Sequence, residues 1–174
     1  GLWPVWVIAL SVLFLGMVLS GCEGSPEKRK LTYYQKGVDA LKKNDAQAAV
    51  LEFKNALEID SAYADAYYQL GLAYTKLQEF DKAVIAFGNA AAHDPKNVEA
   101  RLEVANYYLF RQQDMTKARQ ELEKILQDFP ENPKAYTALG TILYRLQKSD
   151  EAITALKKAL ASDPKSVDAA ITLG

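Results

Sequence analysis

Cys22 is the only thiol and His93 the only imidazole in the 174-residue chain. A lone cysteine forms no intrachain disulfide and assembles no cysteine-based metal site. His93 stands two residues before Pro95, at the expected end of a helix, where a positive or hydrogen-bonding side chain suits the exposed carbonyls. With no second histidine to join it as ligand or proton acceptor, it reads as a surface residue. Carboxylates are numerous, but in runs such as Glu121-Leu122-Glu123-Lys124 they alternate with other residues as on solvated helix faces. No glycine-rich phosphate loop, nucleophile elbow or metal-spaced cluster occurs. The expectation is a chain that is not an enzyme, with no metal, no cofactor and no small-molecule substrate.

What remains for Cys22 follows from its position. It closes the uncharged run LWPVWVIALSVLFLGMVLSG. That run approaches the roughly 20 apolar residues that span a bilayer and is also acceptable as a long signal-peptide core, so length does not choose between them. Leu19-Ser20-Gly21-Cys22 resembles a bacterial lipobox: an aliphatic residue, two small residues that fit a peptidase site, then the cysteine that takes a diacylglyceryl group. The resemblance implies a signal peptide over 1–21, cleavage before Cys22, and an acylated cysteine with a short tether over 22–29. Several acyl chains, at about 0.8 kcal/mol per buried CH₂, hold a domain stably on a membrane. Glu23 stands where enterobacterial lipoproteins retained in the inner membrane carry Asp, which leans toward the outer membrane of a bacterial envelope, facing the periplasm. Neither a Met nor a basic leader precedes Gly1, and truncation at this end is expected. Lys28-Arg29-Lys30 is expected to be a solvated first helical turn rather than a lipid-binding patch.

Beyond Glu23 the chain is amphipathic, and 21 Lys+Arg against 22 Asp+Glu give a net charge of −1. Such a balance has no general attraction for phosphate backbones, so nucleic acid is not an expected partner. A period organises this region. Gly37, Gly71, Ala105, Gly140 and Gly174 stand 34, 34, 35 and 34 residues apart, and Ala49, Ala83, Ala118 and Ala152 keep the same rhythm. In the stretch 64–97, Tyr67, Leu70, Gly71 and Tyr74 share one helical face, and Ala83, Phe87 and Ala90 share another. Asp81 is placed to cap the second helix and Asp94-Pro95 to stop it. Two short helices forming a hairpin are therefore predicted. Gly71 and Ala83 let them approach closely, while Tyr74 and Phe87 fill the space beside them. Tyr67, Tyr74, Tyr108 and Tyr136 are expected to be packing residues.

This pattern resembles the tetratricopeptide repeat (TPR). The resemblance implies an all-α chain, a right-handed α-solenoid of helix hairpins preceded by an apolar signal or anchor helix. The expected repeats are 30–63, 64–97, 98–132 with one inserted residue near Gln112 to Thr116, 133–166, and the start of a truncated fifth over 167–174. Ser61 replaces the terminal proline of the first, and Arg101 the aromatic residue of the third. Hairpins of this kind bury their faces only by stacking, so stability belongs to the array.

The resemblance also implies a concave groove lined by the first helix of each hairpin and able to take a peptide or helix of a protein partner. Its projected lining is Tyr34, Val38, Tyr68, Leu72, Asn106, Thr137, Thr141 and Tyr144, although some of these could instead bridge adjacent repeats. At the sites where chaperone-binding members clamp a peptide carboxylate, this chain has Tyr34, Val38, Gln69, Glu99 and Glu103. Two acids repel a carboxylate, so that clamp is not expected. The implied function is a membrane-anchored interaction scaffold, similar in plan to bacterial TPR lipoproteins of polysaccharide export, pilus or outer-membrane assembly. Its start is similar to the TPR lipoprotein of exosortase systems. Two other readings stay open: the regulatory front of a larger enzyme continuing past Gly174, or a structural spacer.

Overall fold

The computed structural model describes residues 24–166 and 169–170. Leu19, Ser20, Gly21, Cys22 and the apolar run before them, like most of the expected fifth repeat, lie outside the described residues. Over residues 26–162 eight helices follow one another in four hairpins: α1 Pro26–Lys42 with α2 Ala46–Ile59, α3 Ala64–Lys76 with α4 Phe80–His93, α5 Val98–Phe110 with α6 Met115–Asp128, and α7 Pro133–Arg145 with α8 Ser149–Ser162. No strand occurs among the described residues, and none of these helices is long and apolar enough to cross a membrane. The helix α1 begins at Pro26, capped by Ser25, so the stretch read as tether is helical over its last part.

Each hairpin turn is built alike. Asn44, Gln78, Gln113 and Gln147 hold left-handed backbone at φ 60°, 60°, 54° and 60°. In three turns the amide two residues past the helix cap returns to a carbonyl five residues back, as from Asp45 to Ala40, Glu79 to Tyr74 and Lys148 to Leu143. This is the helix-ending arrangement that satisfies otherwise orphaned carbonyls. The α5–α6 turn is one residue longer, and its closing bond runs from Asp114 to Tyr108. After the turn, Asp45 and Asp114 cap the next helix by accepting from the amides of Ala48 and Lys117.

Asp81 does not act as the expected cap. The turn closes at Gln78, so α4 resumes at Phe80 with Glu79 in the cap position and Asp81 already inside the first turn. Its carboxylate instead accepts the Tyr107 hydroxyl, 2.5 Å away on α5.

The small residues do what their spacing required. A Cβ on Gly71 would lie 2.5 Å from the Phe87 ring, one on Gly37 2.6 Å from Phe53, and one on Gly140 2.7 Å from Leu156. In the third hairpin the pair is Ala105 with Leu122, both buried in one cluster, so a smaller partner makes room for the extra methyl. Tyr74 is buried, while Tyr67, Tyr108 and Tyr136 are half-buried against the core clusters. One core cluster joins the first two hairpins around Phe53 and Phe87, and another joins the last two around Leu122, Ile125 and Ile142. Beyond the helices adjacent in sequence, contacts join α1 to α3 and α5 to α7, so the first helices of the first and second hairpins, and of the third and fourth, stand side by side.

Candidate partner-binding groove

The side-by-side placement of first helices creates the site. Between α5 and α7 lies an open cavity of about 490 Å³. Helical spacing puts Glu99, Glu103, Asn106 and Phe110 on one stripe of α5, and Lys134, Thr137 and Thr141 on the facing stripe of α7. Tyr68 reaches in from α3, Asp163 and Ser166 from the segment after α8, and Leu102 and Leu109 contribute apolar surface. A smaller concavity of about 170 Å³ shares Glu103, Asn106 and Phe110 and adds Phe80, Val84 and Phe87.

Of the eight projected residues, Tyr68, Asn106, Thr137 and Thr141 come together in the larger cavity. Tyr34, Val38 and Leu72 are half-buried against the core cluster of the first two hairpins. The Tyr34 ring lies 5.9 Å from Phe53 and 5.2 Å from Tyr63, bridging one hairpin to the next. Tyr144 is 64% exposed and is not part of either lining. Leu102 was absent from the projection although it stands 34 residues after Tyr68, and that period was the signal that could have found it. Phe110, 56% exposed beside the cavity, had no such signal, because Lys42 and Lys76 occupy its counterparts in the first two hairpins.

The electrostatics are acidic. Burial holds the Glu103 carboxyl above its usual range, opposed by a hydrogen bond with Asn106 and by the Lys134 charge. Burial also raises the Tyr68 phenol, with Glu103 and Glu99 adding to the effect. Lys134 Nζ lies 3.6 Å from a Glu99 oxygen, so the one lysine of the lining is engaged by one of its three acids. The hydroxyls of Thr137 and Thr141 donate within α7, to the carbonyls of Pro133 and Thr137 at 2.9 and 3.0 Å. A peptide carboxylate meets like charge here.

His93 is exposed and its ring stacks on Tyr67 at 5.6 Å, with 10° between planes. In the next hairpin the equivalent places hold Arg101 and Asp128, joined at 2.7 Å. Both pairs tie the start of a hairpin to its end, so His93 has a structural partner. Among the described residues no cluster of His, Cys, Asp or Glu could hold a metal ion. Lys30 reaches Glu27 and Asp60, each at 2.9 Å, and covers the Tyr63 ring, which commits it to the fold. That ion pair, with the Ala62 amide, holds the Asp60 carboxyl below its usual range.

Sequence comparison decides the family. The chain matches the tetratricopeptide repeat over residues 109–173 and again over 64–97, and the TPR repeat over 40–78. The chain belongs to the tetratricopeptide-repeat family. It is similar to the type IV pilus assembly protein PilF of Pseudomonas aeruginosa, with 26% identity over 169 residues, 88% of this chain and 66% of that protein. The chain thus spans just under two thirds of that relative. Among solved structures, PilF of the same organism superposes with a TM-score of 0.72 at 23% identity, covering 85% of this chain and 67% of that one. MamA of Desulfovibrio magneticus superposes with a TM-score of 0.71 at 21% identity, covering 83% and 81%. These likenesses show the shared α-solenoid of helix hairpins. Protein binding is the general role that goes with a TPR array.

Proposed function

We propose that this TPR chain is a lipid-anchored scaffold of the bacterial cell envelope that holds a peptide or helix of a protein partner between α5 and α7. The observation that carries the reading is the open cavity on the first helices, where α5 and α7 face each other across about 490 Å³. A helix or extended segment laid in such a groove buries apolar surface without a large change in the array. The likeness to a pilus assembly protein supports an envelope assembly of that class, alongside polysaccharide export and outer-membrane biogenesis. Leu19-Ser20-Gly21-Cys22 supports attachment through an acylated cysteine, with the array facing the periplasm.

A photo-crosslinking amino acid placed at Thr137 in the producing bacterium, followed by purification from membranes, tests the groove. The expected result is one recurrent envelope protein, whose crosslink is lost when Thr141→Trp fills the cavity. Recovery of no envelope protein in repeated trials overturns recruitment through this groove and favours a structural spacer. The anchor is read separately: Cys22→Ala should abolish labelling by a fatty-acid analogue, and persistent labelling refutes acylation there.

A further inference from the structure

The lining of the α5–α7 groove specifies more about its occupant than that it is protein. Its lining residues include three acids, Glu99, Glu103 and Asp163, and one cation, Lys134. Lys134 lies within ion-pair distance of Glu99, which leaves Glu103 without a comparably close cation. Glu103 is half-buried and its partner is the neutral amide of Asn106. Asp163 accepts the Lys165 amide at 3.1 Å, a bond that leaves its charge in place. Apolar side chains lie beside Glu103, Leu102 and Leu109 in the larger concavity and Phe80, Val84 and Phe110 in the smaller one that shares Glu103, where the one cation, Arg111, is stacked over the Phe80 ring at 3.5 Å.

A carboxylate partly removed from water, flanked by apolar surface and sharing its cavity with two other acids, favours a cation on an aliphatic stem. The stem of Lys or Arg lies along apolar surface while its head meets the charge, and hydrogen bonds to an ionised acceptor are the stronger ones. The three-to-one charge ratio also selects against an acidic segment through like-charge contact. Resting on the groove reading above, we infer that the occupant is a basic amphipathic segment of a protein partner. One Lys or Arg pairs with Glu103, and a neighbouring aliphatic or aromatic side chain enters the concavity beside Phe110.

The test is selection of a displayed random-peptide library on the purified chain, with each selected peptide sorted by whether Thr141→Trp or Thr137→Trp abolishes its binding. Circular dichroism checks that each variant keeps its helix content. Groove binders are expected to carry Lys or Arg next to an apolar residue. They should lose about tenfold in affinity on Glu103→Gln and more on Glu103→Lys, and weaken further as salt is raised. Groove binders that are neutral or acidic and indifferent to Glu103→Lys overturn the charge inference while the groove reading stands. A selection with no binder sensitive to either tryptophan overturns the groove reading and this inference with it.

Discussion

Gly71 and Phe87 pack against each other between the two helices of the second hairpin, and their pairing sets a quantitative test. Replacing a mid-helix glycine by alanine favours the helix by about 1 kcal/mol. Here the new Cβ would lie 2.5 Å from the ring of Phe87, which is only 3% exposed. Overpacking at such a site costs about 1–3 kcal/mol, so Gly71→Ala is expected to lower the melting temperature. Phe87→Leu in the same chain should recover the loss, because it recreates the Ala105 and Leu122 pairing of the third hairpin. A double-mutant cycle by thermal denaturation measures the coupling, and purely additive effects would refute the contact. These residues were legible in the sequence because small and large side chains recur together at one spacing. Asp81 was not, since the partner that takes it, Tyr107, lies 26 residues away on another helix and no local pattern encodes that contact. Glu103 was legible only as a mismatch to a carboxylate clamp; its own meaning needed the apolar surroundings that the fold supplies.

At the scale of the element, the hairpins show which local signals are obligatory. Prolines follow α4, α6 and α8, yet α2 ends on the same backbone without one. Asp60 lies at φ −138°, ψ 95°, close to Asp94 at −131°, 92° and Asp163 at −138°, 91°. Ser61 occupies the proline position, and the turn's hydrogen bonds run from the amides of Asp60, Ala62 and Tyr63 rather than from its own. The structure therefore already has the extended residue that precedes proline and does not use the amide that proline removes. Ser61→Pro is expected to stabilise the chain by about 0.4–1 kcal/mol, mainly by restricting the unfolded state. Chemical denaturation checks it: a midpoint that moves down would mean that the turn after α2 differs from the other three. The helix period and the stops were visible in the sequence. The division of projected groove residues between cavity and core was not, because it depends on how each first helix is rotated against its neighbour.

Across the whole molecule, stability passes from hairpin to hairpin, since neighbours in the array supply the surface that each hairpin buries. The two largest core clusters of the described residues lie one around Phe53 and Phe87 and one around Leu122 and Ile142, with Val104 of α5 reaching back onto the first, and two smaller ones around Leu143 and Leu156 complete the last hairpin. The groove between α5 and α7 rests on the second cluster. A lesion at the amino-terminal end should therefore fray the array without dismantling the site. Phe53 is fully buried, and its truncation to alanine costs about 3–5 kcal/mol. Hydrogen exchange of Phe53→Ala is expected to show lost protection across α1, α2 and α3, with protection kept in α6, α7 and α8. Leu122→Ala, in the cluster beneath the groove, should instead deprotect α5 to α7 and abolish groove binding at similar cost. If Phe53→Ala released every helix together, the array would be one cooperative unit rather than a row of coupled hairpins. Groove occupancy would then depend on the hairpin nearest the proposed anchor.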